Sequence, residues 1–383
     1  MAAFLYRSAG SPRFTPPSMS PFVDVPVGSR FYKEISWLYA FEISTGSPGS
    51  LGTEYRPLTS VNRDAMAAFL FRFDGVDASP WPVMPGAEDG DGVFTIAVYP
   101  DTQQEVWGSA FLSRTNWLVT NRSALDLRFV DHTGDVVNWD TDDHAQYEVA
   151  SNALSPLEGA GIPYSLSIGN HDTMATGVGG SARDPKFTRA FQRDTTTFNT
   201  YFTASRFGAV AGAYEAGKVD NVFSTFTAEG HNWLVLSLEL WPRLDVVTWA
   251  NAVVAEHPHH NVIISTHSYL DADGSIWTGC EPTRCGYGDA SPQYLYDNLI
   301  SQHPNIKVVL SGHTGAALTR TAVTPTGNAV LYYLTAIHSN STNPVRLLTI
   351  DTTTNSIRTD VFGINDGFDF GDTNVHSGLN FVD

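Results

Sequence analysis

Short apolar runs alternate with amphipathic stretches through most of this chain. Phe94 to Tyr99, Leu127 to Val130, Ile162 to Leu166, Asn261 to Ser265 and Lys307 to Leu310 are brief and rich in β-branched or aromatic residues, which predicts buried strands. Between them, Asp143 to Leu154 and Asp245 to Glu256 read as helices. The second has Asp245 at its start and Val246, Trp249, Ala250 and Val253 along one face. Strands that alternate with helices predict an α/β layer. The pattern changes after Asn328, where Val330 to Leu334, Val345 to Ile350 and Ser356 to Phe362 read as antiparallel strands joined by turns.

The first residues carry a different signal. Met1-Ala2-Ala3-Phe4-Leu5-Tyr6-Arg7 returns as Met66-Ala67-Ala68-Phe69-Leu70-Phe71-Arg72 with a single conservative change, the mark of a repeat array cut at its start. Asn62 is placed to cap the second copy as a helix, Asp64 suits its positive end, and Met66, Phe69 and Leu70 follow the spacing of a buried face. With Pro21 to Pro26, Phe31-Tyr32, Ile35 to Leu38 and Gly52 to Pro57, this stretch resembles an S-layer homology repeat. The resemblance makes residues 1–12 the tail of a truncated repeat and 13–78 a whole one, a small, mainly helical module. It implies a cell-wall polymer as partner, with Arg63 contacting anionic sugar groups. Residues 79–92, rich in Pro, Gly and acids, read as a linker to a domain spanning 93–383.

Charge and cysteines narrow the setting. Forty Asp and Glu against 22 Lys and Arg give a net charge of −18, which argues against a nucleic-acid scaffold as partner. An acidic chain still binds a small phosphoester if metal ions supply the positive field. Cys280 and Cys285 are the only cysteines and read as one small disulfide, suited to an oxidising compartment. A cytosolic metal pair is the competing reading, and it lacks partner ligands. No apolar run is long enough to span a membrane. The disulfide and the S-layer homology resemblance lead to an expected secreted or wall-associated location, although the start at Met1 shows neither a charged lead nor a cleavage site.

Every predicted strand ends at polar residues. Asp101-Thr102-Gln103, Gly134-Asp135, Gly169-Asn170-His171-Asp172, Thr266-His267 and Gly312-His313 each follow an apolar run. If the strands share one sheet, their carboxyl ends bring these groups to one pocket. In that order, the motifs resemble the calcineurin-like metallophosphoesterase family. The resemblance implies two mixed β-sheets flanked by helices, an αββα sandwich, and a hydrolase of phosphomonoesters or phosphodiesters that uses a metal-bound hydroxide. It makes Asp135 a carboxylate shared by two ions, with Asn170, His267 and His313 completing one site and Asp101 and Gln103 contributing to the other. One or two divalent ions are expected, with manganese, iron and zinc all compatible with such ligands.

The chain departs from the family at the other site. The opening motif there usually reads Asp-x-His and the last Gly-His-x-His, whereas Gln103 and Gly315 stand in those slots here. Gln103 offers a neutral amide oxygen and resembles one branch of the family. Water, a backbone carbonyl or a histidine such as His338 can replace the second imidazole, although Ala336-Ile337-His338-Ser339 reads first as a plain loop. The catalytic pair is expected to be His171, as general acid, and Asp172, orienting its ring. No Gly-x-Ser-x-Gly elbow competes. Asp271 to Ser275 opens like a calcium loop but has Pro282 where the bidentate acid belongs, and His257 to His260 reads as a solvated turn. Tyr269, Trp277 and Tyr287 either wall a pocket or pack within their own loop. The rival readings are a phosphoesterase-like binding protein with one metal site and a structural wall protein.

Overall fold

The computed structural model describes residues 1–8, 16–17, 20–40, 43–49, 52–74, 90–281, 283–340, 343–365 and 367–382. The chain divides into two units, Met1–Pro85 with Asn365–Gly367, and Gly86–Ile364 with Phe368–Asp383. Most of the expected linker, residues 79–89, lies outside the described residues.

In the first unit both copies of the recurring motif are helical, in α1 (Ala2–Ser8) and α3 (Arg63–Asp74), with α2 (Tyr32–Ala40) and the hairpin β1 (Ser47–Gly49) and β2 (Gly52–Glu54) between them. Asn62 caps α3 by accepting the Ala65 N–H at 3.1 Å. Leu5, Tyr6, Phe22, Ile35, Trp37 and Leu38 form a small core against which Phe69 and Phe73 pack. Leu70, expected on the buried face, is exposed, because the contact stripe of α3 runs through Phe69 and Phe73 instead.

The second unit is built on β3 (Val93–Tyr99), α4 (Ala110–Thr120), α5 (Arg122–Leu125), β4 (Leu127–His132), α6 (Ala145–Ala160) and β5 (Tyr164–Leu166). There follow α7 (Thr188–Phe191), α8 (Thr196–Tyr201), α9 (Ala204–Phe207), β6 (Val210–Ala213), β7 (Val222–Ala228), β8 (His231–Leu238), α10 (Leu244–Glu256) and β9 (His260–Thr266). The remainder is α11 (Pro292–Asn298), β10 (Ile306–Ser311), β11 (Ala317–Val323), β12 (Ala329–Thr335), β13 (Val345–Asp351), β14 (Ser356–Phe362) and β15 (Asn374–Ser377). Two large mixed sheets result, ordered β11-β12-β10-β9-β8-β7-β6 and β15-β14-β13-β3-β4-β5. Helices flank them, as the αββα expectation has it.

Strand periodicity sorts the side chains. Trp233 and Val235 of β8, Ile263 of β9 and Leu331 and Tyr333 of β12 meet Phe94, Ile96 and Val98 of β3 and Phe129 of β4 between the sheets. Their neighbours Leu234, Leu236, Val262, Ile264 and Tyr332 face the other way, against Val246, Val247, Ala250 and Val253 of α10.

Three further sequence expectations change. The candidate ligands do not come from one sheet: β3, β4 and β5 are parallel in one, and β9, β10 and β12 are parallel in the other. Val330 to Leu334 does not join the later antiparallel strands. It pairs with β11 and β10, whereas β13 and β14 form a hairpin in the other sheet. Finally, α6 runs past Leu154 through Pro156 to Ala160. The proline removes the N–H that would bond the Asn152 carbonyl, and the Ser155 hydroxyl donates to that oxygen instead at 2.9 Å.

Candidate metal centre

Six parallel strands, three from each sheet, deliver polar residues from their carboxyl ends. β3 leads to Asp101 and Gln103, β4 to Asp135, β5 to Asn170 and His171, β9 to His267, β10 to His313 and β12 to His338. Gln103, Asp135, Asn138, Asn170, His171, His313 and His338 line one cavity of about 380 Å³, together with Gln104, Gly179 and Gly180. Asp101 and His267 lie buried behind its wall.

Within the centre, Asp135, His267 and His313 place one ligand atom each within 4.8 Å of the others. His267 Nε2 is 3.1 Å from Asp135 Oδ2 and 3.1 Å from His313 Nδ1. Its other nitrogen faces the Thr133 carbonyl at 2.9 Å, which fixes the ring. Burial opposes charge on both partners of the Asp135–His267 pair, but their attraction prevails. The Asp135 carboxyl is held well below the usual carboxylate range, and His267 is raised to about 9. His313 is pushed down to about 4 by burial and by the His267 charge.

The backbone bends to make this packing. Asp135 (φ 55°) and His313 (φ 71°) both adopt the left-handed conformation, a strain of roughly 1–3 kcal/mol each for non-glycine residues. Gly134 (φ 102°) comes so close to the ring of His267 that a Cβ there would lie 2.8 Å from Nδ1. Its small size therefore serves the close approach of the His267 ring.

Two oxygens stand out. Asn170 Oδ1 and Gln103 Oε1 are buried without a hydrogen-bond partner, a state that costs roughly 1–3 kcal/mol each. Both residues line the cavity beside the imidazole–carboxylate cluster. A divalent cation satisfies such neutral oxygens, so the residues present fit the metal.

Asp172 does not orient His171. Its buried carboxylate accepts four backbone N–H groups, from Asp135 (2.8 Å), Val136 (2.7 Å), Val137 (3.2 Å) and Gly169 (2.9 Å), and so clamps the loops after β4 and β5 together. Burial and the Asp135 charge push Asp172 up, to about 7, against the pull of those donors. The His171 ring is instead fixed by Nδ1, 2.5 Å from the Asn138 carbonyl, with Nε2 4.0 Å from Asp135 Oδ2.

Further supports surround these residues. Asn138 follows Asp135 in the same loop, and Gly179 and Gly180 belong to the glycine-rich stretch that follows His171. The Asp101 loop rests on a buried ion pair, Arg114 to Glu105 at 2.6 Å, joined to Asn343, whose amide donates to the Asp101 carbonyl at 2.6 Å. Nothing in the local pattern marks Arg114, which lies buried on α4.

Other candidates settle away from the centre. Tyr269 stacks on Tyr332 in the core, while Trp277 stacks on Trp241, which in turn meets His313 edge-on at 6.2 Å. Cys280 and Cys285 form the expected disulfide. His257 caps the end of α10 by a 2.7 Å contact with the Val253 carbonyl, consistent with a turn.

The calcineurin-like phosphoesterase pattern matches residues 94–316, more than half of the 383-residue chain. The chain belongs to the calcineurin-like phosphoesterase family. Membership implies divalent metals, and Asp135, His267 and His313 provide a candidate cluster for them. A curated relative is the uncharacterized protein YvnB of Bacillus subtilis (strain 168), 27% identical over 271 residues, which amount to 70% of this chain and 18% of that protein. The chain thus spans less than a fifth of that relative's length. Similar solved structures include a dimetal phosphatase from Danio rerio, at 11% identity over 75% of this chain and 99% of that one, TM-score 0.47. Another is a 5'-nucleotidase precursor from Thermus thermophilus, at 14% identity over 75% of this chain and 54% of that one, TM-score 0.42. Among the described residues no helix is long and apolar enough to cross a membrane.

Proposed function

We propose that this chain hydrolyses small phosphoesters, monoesters or diesters, at the cavity lined by Asp135, Asn170, His171 and His313. The observation that carries this reading is the pairing of a tight Asp135–His267–His313 cluster with two orphaned amide oxygens, Gln103 Oε1 and Asn170 Oδ1, at one family-matched cavity. Asp135, Asn170, His267 and His313 would hold one divalent ion, and Asp101 and Gln103 would contribute to a second. Such ions, when bound, acidify water and neutralise phosphoryl charge.

The chain's own groups do the rest. His171, with its ring set by the Asn138 carbonyl, presents Nε2 beside Asp135 and donates a proton to the departing oxygen. Asp172 keeps the two ligand-bearing loops in register through its four N–H contacts. Thr133 holds His267 in one orientation.

The test is hydrolysis of a chromogenic phosphodiester and monoester by metal-loaded protein, beside His267→Ala. Turnover lost in the variant supports the proposal; no turnover in either supports the second reading, a binding protein with one metal site. Gly315, which offers no side chain where the family has an imidazole, is the motive for that second reading. The N-terminal unit is proposed to engage an anionic wall polymer through Arg63, with the whole protein secreted and wall-associated. The recurring helices α1 and α3 support that reading, and pull-down on purified cell wall tests it.

A further inference from the structure

The structure assigns His338 as the imidazole that replaces the missing one at Gly315, so that Asp101, Gln103, His338 and the shared Asp135 form a second cation site. His338 Nε2 lies 2.8 Å from Asp101 Oδ2. Donors about 2.1 Å from one ion and about 90° apart lie about 3 Å from each other. The same spacing, 3.1 Å, recurs at the His267–Asp135 and His267–His313 pairs.

Gln103 supplies the independent sign. The residue is 5% exposed, its Oε1 has no hydrogen-bond partner, and it lines the cavity that His338 also lines. A neutral buried oxygen beside a carboxylate–imidazole pair is a cation donor in search of its ion. Asp101 is anchored from behind, since its carboxylate accepts the His313 N–H at 3.1 Å and its carbonyl accepts the Asn343 amide.

The topology explains how a residue outside the motif arrives there. β12 lies beside β10 in parallel, so the loop after β12 ends next to the Gly312 to Gly315 loop. The two loops are joined by Ala336 N–H to Ala316 O at 2.8 Å, and a Cβ on Gly315 would point at the Ala336 carbonyl, 3.5 Å away. The imidazole has moved to the neighbouring loop, and the side chain at 315 has become dispensable.

The inference rests on the phosphoesterase reading for the kind of ion, but its test does not need turnover. The full chain, loaded with Mn²⁺ and freed of excess metal, is analysed for metal content, with paramagnetic resonance to detect coupled ions. The expected result is about two ions per chain with a coupled signal, falling to about one with an isolated signal in His338→Ala. Gln103→Leu, a second variant on a different strand end, should weaken the same ion. Circular dichroism verifies folding. About one ion in the unaltered chain, or about two retained in both variants, overturns the assignment. Hydrolysis by a one-ion chain would overturn it while leaving the phosphoesterase reading intact, whereas two ions without turnover would support it and sink that reading.

Discussion

His267 reaches the centre fully buried, with one ring nitrogen on the Thr133 carbonyl and the other beside Asp135, whereas His338 reaches Asp101 with 36% of its side chain exposed. The two halves of the centre share strand-end geometry and differ in how firmly the donors are held. A site whose donors are already fixed loses little freedom on binding, so the His267 half should hold its ion tightly. The His338 half has a neutral amide where the family has an imidazole, and a donor open to solvent. It should bind more weakly and empty first under a chelator.

The largest effect expected is from His267→Ala, which removes the central donor of the tight half and should abolish both turnover and retention of the last ion, read by assay and metal analysis. His171→Asn sharpens the contrast between binding and chemistry. It should lower kcat by roughly 10²- to 10⁴-fold with metal content unchanged, if this imidazole moves a proton as proposed. Arg114→Met attacks the support of the weaker half. Leaving Glu105 buried without its partner should cost roughly 3–5 kcal/mol in denaturant unfolding.

The smallest effect concerns a polar tie between the sheets. Asp131 on β4 accepts hydroxyls from Ser165 on β5 and from Ser265 on β9, each at 2.7 Å, and burial raises its pKa from 3.8 to about 6. The folded state therefore holds more protons than the unfolded state between about pH 4 and 6, and stability falls as pH rises through that window. The rise corresponds to at most about 3 kcal/mol at 1.36 kcal/mol per pH unit. Asp131→Asn should flatten that part of the stability profile. An unchanged slope would mean that the two serine donors keep Asp131 ionised.

Much of this centre was legible because each candidate ligand follows an apolar run. Asp101, Asp135, Asn170, His267 and His313 could be placed at strand ends from local pattern, and the αββα architecture came with the family resemblance. What local pattern lacks is pairing. Whether Val330 to Leu334 joined the earlier or the later strands depended on partners far away in sequence, and so did the number of sheets meeting at the cavity. His338 was obscure for the same reason, since only the pairing of β12 beside β10 brings it to Asp101. Asp172 misled through adjacency. Neighbouring His171 in sequence suggested that it orients the ring, but its carboxylate points back to the loop N–H groups, and the ring finds a carbonyl at Asn138.

The most direct test of the central claim is the rate of chromogenic phosphodiester hydrolysis by the full chain before chelation, after it, and after Mn²⁺ or Zn²⁺ is restored. The account predicts turnover that disappears with the metal and returns with it, and that is absent throughout in His267→Ala. Hydrolysis indifferent to the chelator, or no hydrolysis by fully metal-loaded protein, would contradict it.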